Sequence, residues 1–490
     1  MNNKKVAILG AGITGLTAAY ALSKKGHEVT IFEKSKEIGG LAGSFIDKEG
    51  CVYDYGPHQF CTDNIELVNF LKELLGKDLL IRSKNVSQYF FKKHIPYPLK
   101  PMDYITKIPL SLSTKVFIEV IFSHLLLRLG FKLDHSFESW TKSRFGATLY
   151  NTYFKPYTIK TWGVNPDKLD PSTAYLRISF NSIWDIFLKT VKHSITNKDD
   201  FSTTHNPLKQ KFYYPNGGNI KLMEALYKAC PKKNIKLKTG FEAKKIIINN
   251  SKAKKIIFSN KRSVSNFDYI INTTPLTDLA KMIGRERKLP LRYRAMIFGF
   301  ISFDKDQFED GQVSPYHWIY YPDKDLIFTR VSEFKHFNAN MSPENKTNIV
   351  VEITCFKEDE IWNIPNELIV KRIMQDLKKV KLIKGNEKYS ANVAKKEHEY
   401  PLQIKGFKEM IEEIIKNDIQ PIQNLVTTGR QGLYKYCNQN ECMEMAFDIS
   451  NQINKGAKNF KYNLESRWRG QGLQKISVLK EDEKVKNSEN

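Results

Sequence analysis

The sequence predicts an α/β protein in which a parallel sheet with flanking helices is interleaved with a mixed or antiparallel sheet and a helical insertion. Three observations predict it. The first forty residues run strand, glycine turn, helix, strand. Residues 290–400 alternate apolar and polar positions as strands do. A late buried strand, Asn424-Leu425-Val426-Thr427-Thr428, runs into another glycine turn.

The opening unit has a mechanical reason for each part. Val6-Ala7-Ile8-Leu9 is a short apolar strand, followed by Gly10-Ala11-Gly12-Ile13-Thr14-Gly15 and a helical run to Lys25. Gly10 permits the tight turn, Gly12 leaves room for a pyrophosphate, and Gly15 lets the helix lie close to the sheet. The helix N-terminus faces the phosphate charge. The second strand, Glu28 to Phe32, ends on Glu33, whose carboxylate suits ribose hydroxyls. This is a Rossmann-like dinucleotide half-site. A second glycine pair, Gly39-Gly40, then follows six residues past the acid, between Lys34 and Leu41. An NAD domain does not need that segment. It resembles the extension of FAD enzymes in the amine oxidase and protoporphyrinogen oxidase superfamily, so FAD is the expected cofactor.

A chain of 490 residues, 41% hydrophobic, can bury a large core in two or three interleaved domains. Cys51, Cys61, Cys230, Cys355, Cys437 and Cys442 show neither C-x-x-C pairs nor zinc spacing, so no metal is expected and a reduced cytoplasmic setting fits. The net charge of +24 admits an anionic small-molecule substrate such as a nucleotide sugar, or peripheral contact with an anionic membrane. No nucleic-acid motif accompanies it, and nucleic acid is set aside. Oligomeric state stays open.

The expected boundaries are a first cofactor-binding segment over 1–98 and a helical insertion, serving as substrate or lid region, over 99–210. A second cofactor segment covers 211–289, an antiparallel substrate sheet 290–420, a last cofactor segment 421–475 and a loose charged tail 476–490. Ile108 to Phe131 is the most apolar stretch; Lys115, Glu119, His124 and Arg128 interrupt it, which argues against a bilayer span and for buried core helices, with a membrane-touching pair as the alternative. Lys198 to Lys211 reads as a surface loop. Asp268 to Pro275 reads as a strand returning to the first sheet.

The order of motifs resembles the FAD-containing amine oxidase superfamily over nearly the whole chain, nearest the branch that holds UDP-galactopyranose mutase. The carrying stretches are the glycine unit with Glu33 and Gly39-Gly40, Gly56-Pro57-His58, Phe145-Gly146 with Lys155 to Gly163, Tyr214-Pro215 with Gly217-Gly218, and Gly429-Arg430 with Tyr434-Lys435-Tyr436. The resemblance implies cofactor contacts from Gly10, Gly12, Thr14, Gly15, Glu33, Lys34, Gly39, Gly40, Leu41, Gly429 and Arg430. It places His58 near the flavin ring, although a turn histidine bonded to a carbonyl fits the residues equally. Arg430 would favour an anionic reduced flavin, or else sit in a surface ion pair. Trp162 is either core or a stacking wall. Arg177 resembles a pyrophosphate clamp, or is a solvated helix arginine. Tyr434, Tyr436 and Asn438 would meet the substrate, the tyrosines alternatively packing at a strand end. The chain departs from the mutase pattern at Cys61, Asn438 and Ile297, which stand where histidine, aspartate and arginine are expected. The implied function is an oxidoreductase passing hydride to flavin N5, in polysaccharide or nucleotide-sugar metabolism. The alternatives are a redox-neutral mutase-like isomerase and a non-catalytic flavoprotein scaffold.

Overall fold

The computed structural model describes residues 3–97, 109–130, 135–177, 211–287 and 290–462, without the side chains of 127, 128 and 175–177. The expected loop at 198–211, apart from Lys211, and the tail at 476–490 lie outside the described residues.

Five strands form the first sheet, all parallel, in the order Leu425–Thr427, Tyr269–Asn272, Lys5–Leu9, Glu28–Glu33, Ile235–Thr239. The central strand, Lys5–Leu9, is flanked on both sides and is buried over Val6 to Leu9, as a strand covered by helices on both faces must be. The helix Ile13–Lys24 packs beneath it, with the long C-terminal helix Gln439–Asn454 against its other side. Strands from 269 and 425 therefore join the N-terminal unit across more than 250 residues of chain, and the expected return to this sheet is found.

The second sheet is mixed and has seven strands. Its order is Tyr389–Pro401, Tyr293–Asp304, Lys346–Cys355, Arg330–Glu333, Trp318–Tyr320, Val86–Phe90, Lys93–Pro96. The long strand Tyr293–Asp304 shows why this sheet is buried on both faces. Met296, Phe298 and Phe300 point to one side, where the flavin-family motifs gather; Ile297, Ile301 and Phe303 point to the other. Helix Asn366–Lys379 closes that other side with Ile369, Ile373 and Leu377 fully buried. Gly299 makes room for it: a Cβ there would stand 2.5 Å from the Ile373 Cδ1.

Two features differ from the sequence reading. The hairpin Val86–Pro96, grouped by the boundary at 98 with the first cofactor segment, instead completes the second sheet, by parallel pairing of Val86–Phe90 with Trp318–Tyr320. Alternation identifies a strand but not its partner. Within the stretch 108–131 the described residues form one helix, Leu110–Arg128, that buries Val116, Val120 and Ser123 yet leaves Phe117, Ile118 and Phe122 60–66% exposed. An apolar composition does not say which side a neighbour covers. Among the described residues no helix is long and apolar enough to cross a membrane.

The Gly299–Ile373 contact yields a stability prediction. Ile373→Ala should cost about 2–5 kcal/mol, because helix and sheet cannot both relax into the gap. A urea titration followed by tryptophan fluorescence checks it, and a change under 1 kcal/mol would show the helix to be a loose cover.

Candidate functional site

Three separate stretches build a cradle at the C-terminal edge of the parallel sheet. A Cβ at Gly15 would lie 2.0 Å from the Gly10 carbonyl oxygen, so the first helix meets the preceding turn with no space for a side chain. Gly39, at φ +110, donates its N–H to the Ala11 carbonyl at 2.8 Å and pairs with Gly12. Glu33 is buried; its two oxygens accept from the Ala11 and Ser35 amides at 2.7 and 2.9 Å. Gly429 closes the cradle from the far end of the chain, since a Cβ there would stand 2.5 Å from the Thr14 hydroxyl. Lys34 is exposed, and the Leu41 carbonyl accepts from the His58 ring at 2.9 Å.

The glycine-proline-histidine turn hangs from Asp54, which is fully buried. Its carboxylate accepts from Ser44, from the Tyr214 hydroxyl at 2.6 Å, and from both the backbone and side-chain amides of Asn219. Burial pushes Asp54 up to about 6, against the pull of those donors. Asn219 also accepts from Gln439 and reaches the His58 carbonyl. His58 is held near 4 by burial first and then by the charges of Arg430 and Arg330, so its ring is neutral at physiological pH. Its contact with Leu41 is the carbonyl-bonded arrangement, and it stands within the site as well.

The inward face of the second sheet supplies a polar row. Phe298, Glu352, Arg330, Tyr320 and Gln88 lie side by side across five strands. Arg330 grips Glu352 with two parallel bonds of 2.7 and 2.6 Å. Burial opposes the Arg330 charge, but Glu352 more than offsets this and raises its pKa. Gly56 turns beside this pair at φ +94, a backbone conformation that favours glycine, and a Cβ there would lie in ordinary contact with Arg330 and Glu352. On the neighbouring strand Lys396 places its ammonium 3.9 Å from the centre of the Tyr55 ring, and burial lowers its pKa.

Arg430 lies at the other wall, between the rings of Tyr400 and Tyr436 at 5.1 and 4.9 Å. It donates to the carbonyls of Cys437 at 3.1 Å and Glu399 at 3.0 Å, so it is not in a surface ion pair. Burial pushes the Glu399 carboxyl up to about 7, although Arg430 pulls the other way. Trp162 is buried and meets both tyrosines, edge-on to Tyr436. Its helix, Lys155–Trp162, is pinned to the sheet by Arg294, which donates to the Thr161 carbonyl, and by Lys160, which donates to three carbonyls.

The structure thus gathers His58, Trp162, Tyr436 and Arg430, with the glycine cradle adjoining through Leu41 and Gly429. Two other expectations are corrected. Tyr434 is fully buried with its hydroxyl given to the Arg292 and Leu402 carbonyls, so it has no group left for a substrate. Asn438 is exposed and caps the helix Gln439–Asn454. Arg177 ends a short helix, and its side chain lies outside the described residues. Sequence reasoning missed Asp54, Lys396 and Glu399 as site residues. No local signal marked them: Asp54 closes a three-residue strand buried throughout, and Lys396 and Glu399 lie in the charged run Lys395 to Glu399.

Several buried polar atoms here have no partner among the described residues: Arg430 Nε, Glu399 Oε2, Gln431 Oε1, Gln439 Oε1 and Gln59 Oε1. Such groups are costly unless something polar meets them. A glycine cradle for phosphates, an acid at the second strand end and this orphaned set together fit a flavin dinucleotide.

Comparison with known proteins agrees. Residues 13–402 match the flavin containing amine oxidoreductase family. A probable UDP-galactopyranose mutase of Klebsiella pneumoniae is 28% identical over 194 residues, 35% of this chain and 44% of that protein. Coproporphyrinogen III oxidase of Staphylococcus aureus is 26% identical over 305 residues, 58% of this chain and 63% of that one. The chain therefore spans less than two thirds of the length of either relative. The crystal structure of a reduced UDP-galactopyranose mutase superposes with a TM-score of 0.77 at 19% identity, covering 98% of both chains, which is a likeness of fold. With four fifths of its length inside the family match, this chain belongs to the flavin containing amine oxidoreductases.

Proposed function

We propose that the protein is an FAD-dependent oxidoreductase whose substrate binds between the polar row of the second sheet and the Arg430 wall. The observation that carries this reading is the cluster of buried Glu399 and Glu352 with half-buried Lys396 and Arg330 beside the glycine cradle. Structural ion pairs alone would not leave Glu399 Oε2 and Arg430 Nε without partners among the described residues.

The cofactor would be held by Gly10, Gly12, Thr14, Gly15, Glu33, Gly39, Gly40, Leu41, Gly429 and Arg430, with Lys34 at the exposed rim. When bound, FAD supplies a hydride acceptor. The chain's own part is binding, orientation and proton handling. Arg330, fixed by Glu352, presents an oriented cation, and Lys396 adds a second over Tyr55. Both suit an anionic or strongly polar substrate. Tyr400, Tyr436 and Trp162 exclude water from the Arg430 side. Glu399, held near 7, can take a proton from substrate at Oε2 or return one at physiological pH. His58, neutral and tied to Leu41, is a wall residue and not an acid. A role in polysaccharide or nucleotide-sugar metabolism is the finer part of the proposal.

A redox-neutral isomerase on a nucleotide sugar is the second reading, favoured by the likeness of fold over 98% of the chain. Tyr436 and Arg177 would then be its substrate-side residues. The two readings separate in an anaerobic incubation with UDP-galactopyranose, using dithionite-reduced and oxidised protein. Furanose product from the reduced form alone would establish the isomerase. The expected result is no furanose from either form, with loss of oxidised-flavin absorbance when the true substrate is found among amines, amino acids, porphyrinogens and other nucleotide sugars.

Two further outcomes follow from the geometry. Gly15→Ala puts a methyl into the Gly10 carbonyl, so flavin affinity should fall by more than about tenfold, read as flavin lost on gel filtration. Glu399 binds its proton up to about pH 7 when folded but only to its ordinary 4.5 when exposed. Its protonation therefore stabilises the fold fully below 4.5, and that contribution is lost as pH rises through 7. Melting temperatures of wild type and E399Q should diverge across this window, wild type falling relative to the variant; parallel curves would show that Glu399 is ionised throughout.

A further inference from the structure

The helix Leu110–Arg128 leaves its outer face without a partner among the described residues. Phe117, Ile118, Ile121, Phe122, Leu125 and the adjoining Leu129 are each between 44% and 66% exposed. Their spacing of three and four residues lines them along one stripe of the helix. Soluble proteins scatter single apolar residues over their surface; a contiguous stripe of large ones marks something that covers it.

The polar residues of the helix say what. Its one acid, Glu119, is turned inward, where its oxygens accept from the Thr148 amide and hydroxyl at 2.7 Å each. Val116, Val120 and Ser123 complete the inner face. Lys115 is exposed beside the stripe. The outward face thus presents large apolar groups and a cation, with no negative charge among its described side chains. The chain as a whole carries a formal net charge of +24. Two copies so charged repel when they meet, whereas an anionic surface attracts both the helix and the body behind it. Since no described helix can cross a bilayer, the compatible geometry is a helix lying in the interface plane with its apolar stripe among the acyl chains.

We propose that this face docks the protein on an anionic lipid bilayer, with the helix Leu110–Arg128 lying in the interface. The occupant is the bilayer itself, recognised by apolar insertion and by phosphate-rich headgroups. The docked helix packs on Phe137–Phe145, in the same helical unit that carries Trp162.

The test is co-sedimentation of the full-length, flavin-loaded protein with vesicles of phosphatidylcholine alone or mixed with phosphatidylglycerol. Ile118→Glu/Phe122→Glu is compared with the uncharged Ile118→Ser/Phe122→Ser; both sites are exposed, and retained flavin absorbance and circular dichroism verify folding. The expected result is binding to the anionic vesicles that weakens in high salt and falls at least about tenfold in both variants, more in the glutamate one. Four results would overturn the proposal. One is no binding to either vesicle. Another is equal binding to both vesicle types. The third is a wild-type dimer in light scattering that the same variants convert to monomer, which would assign the stripe to a second copy. Binding unchanged in folded variants would likewise remove this helix as the docking element.

Discussion

The site depends on one buried carboxylate. Asp54 gathers four donors from Ser44, Tyr214 and Asn219, and so joins a hairpin near the N-terminus to a strand and a helix start 160 residues later. Burying an unpaired carboxylate would be prohibitive, and here the donors offset that cost. The arrangement leaves the Tyr55 to His58 turn little freedom, because both its entrance and, through Asn219, its exit are tied to the same group. His58, Gly56 and the Arg330–Glu352 pair take their places around that turn.

A second constraint is the pleat of the seven-stranded sheet. Alternate residues of Tyr293–Asp304 are committed to opposite faces, so the outer face can be sealed by Ile369, Ile373 and Leu377 while the inner one carries charge. Arg330 and Glu352 are tolerable there because they face each other across adjacent strands in register. Cross-strand pairing both positions the guanidinium and neutralises its partner. A register slip of one residue would exchange the charged and apolar faces.

The last glycine turn shows how backbone conformation separates residues that look alike in sequence. Tyr434 and Tyr436 share a parity, and in a strand they would point the same way. Tyr434 instead has φ +49 after the short helix Gly429–Gly432, and the chain turns there. Tyr434 goes into the core of the parallel-sheet domain, while Tyr436 stacks over Arg430 beside Tyr400. The arginine is thereby held by two rings and two carbonyls, a rigid mounting for a charge meant to act on a neighbour.

Local chemistry was legible in the chain alone. Glycine spacing, the strand periods, Glu33 and the order of motifs follow from short-range sterics and hydrogen bonding, and they specify the cradle and the family to which it belongs. Glu399 as a group titrating near 7, Lys396 over Tyr55 and the Asp54 knot were not legible, because a pKa depends on burial and on charges supplied by distant strands. The hairpin Val86–Pro96 could be seen as strands but not assigned to a sheet, since its parallel partner lies some 230 residues away. The same holds for the helix Leu110–Arg128: its sequence states that it is apolar, and only packing determines that its richest face is left uncovered.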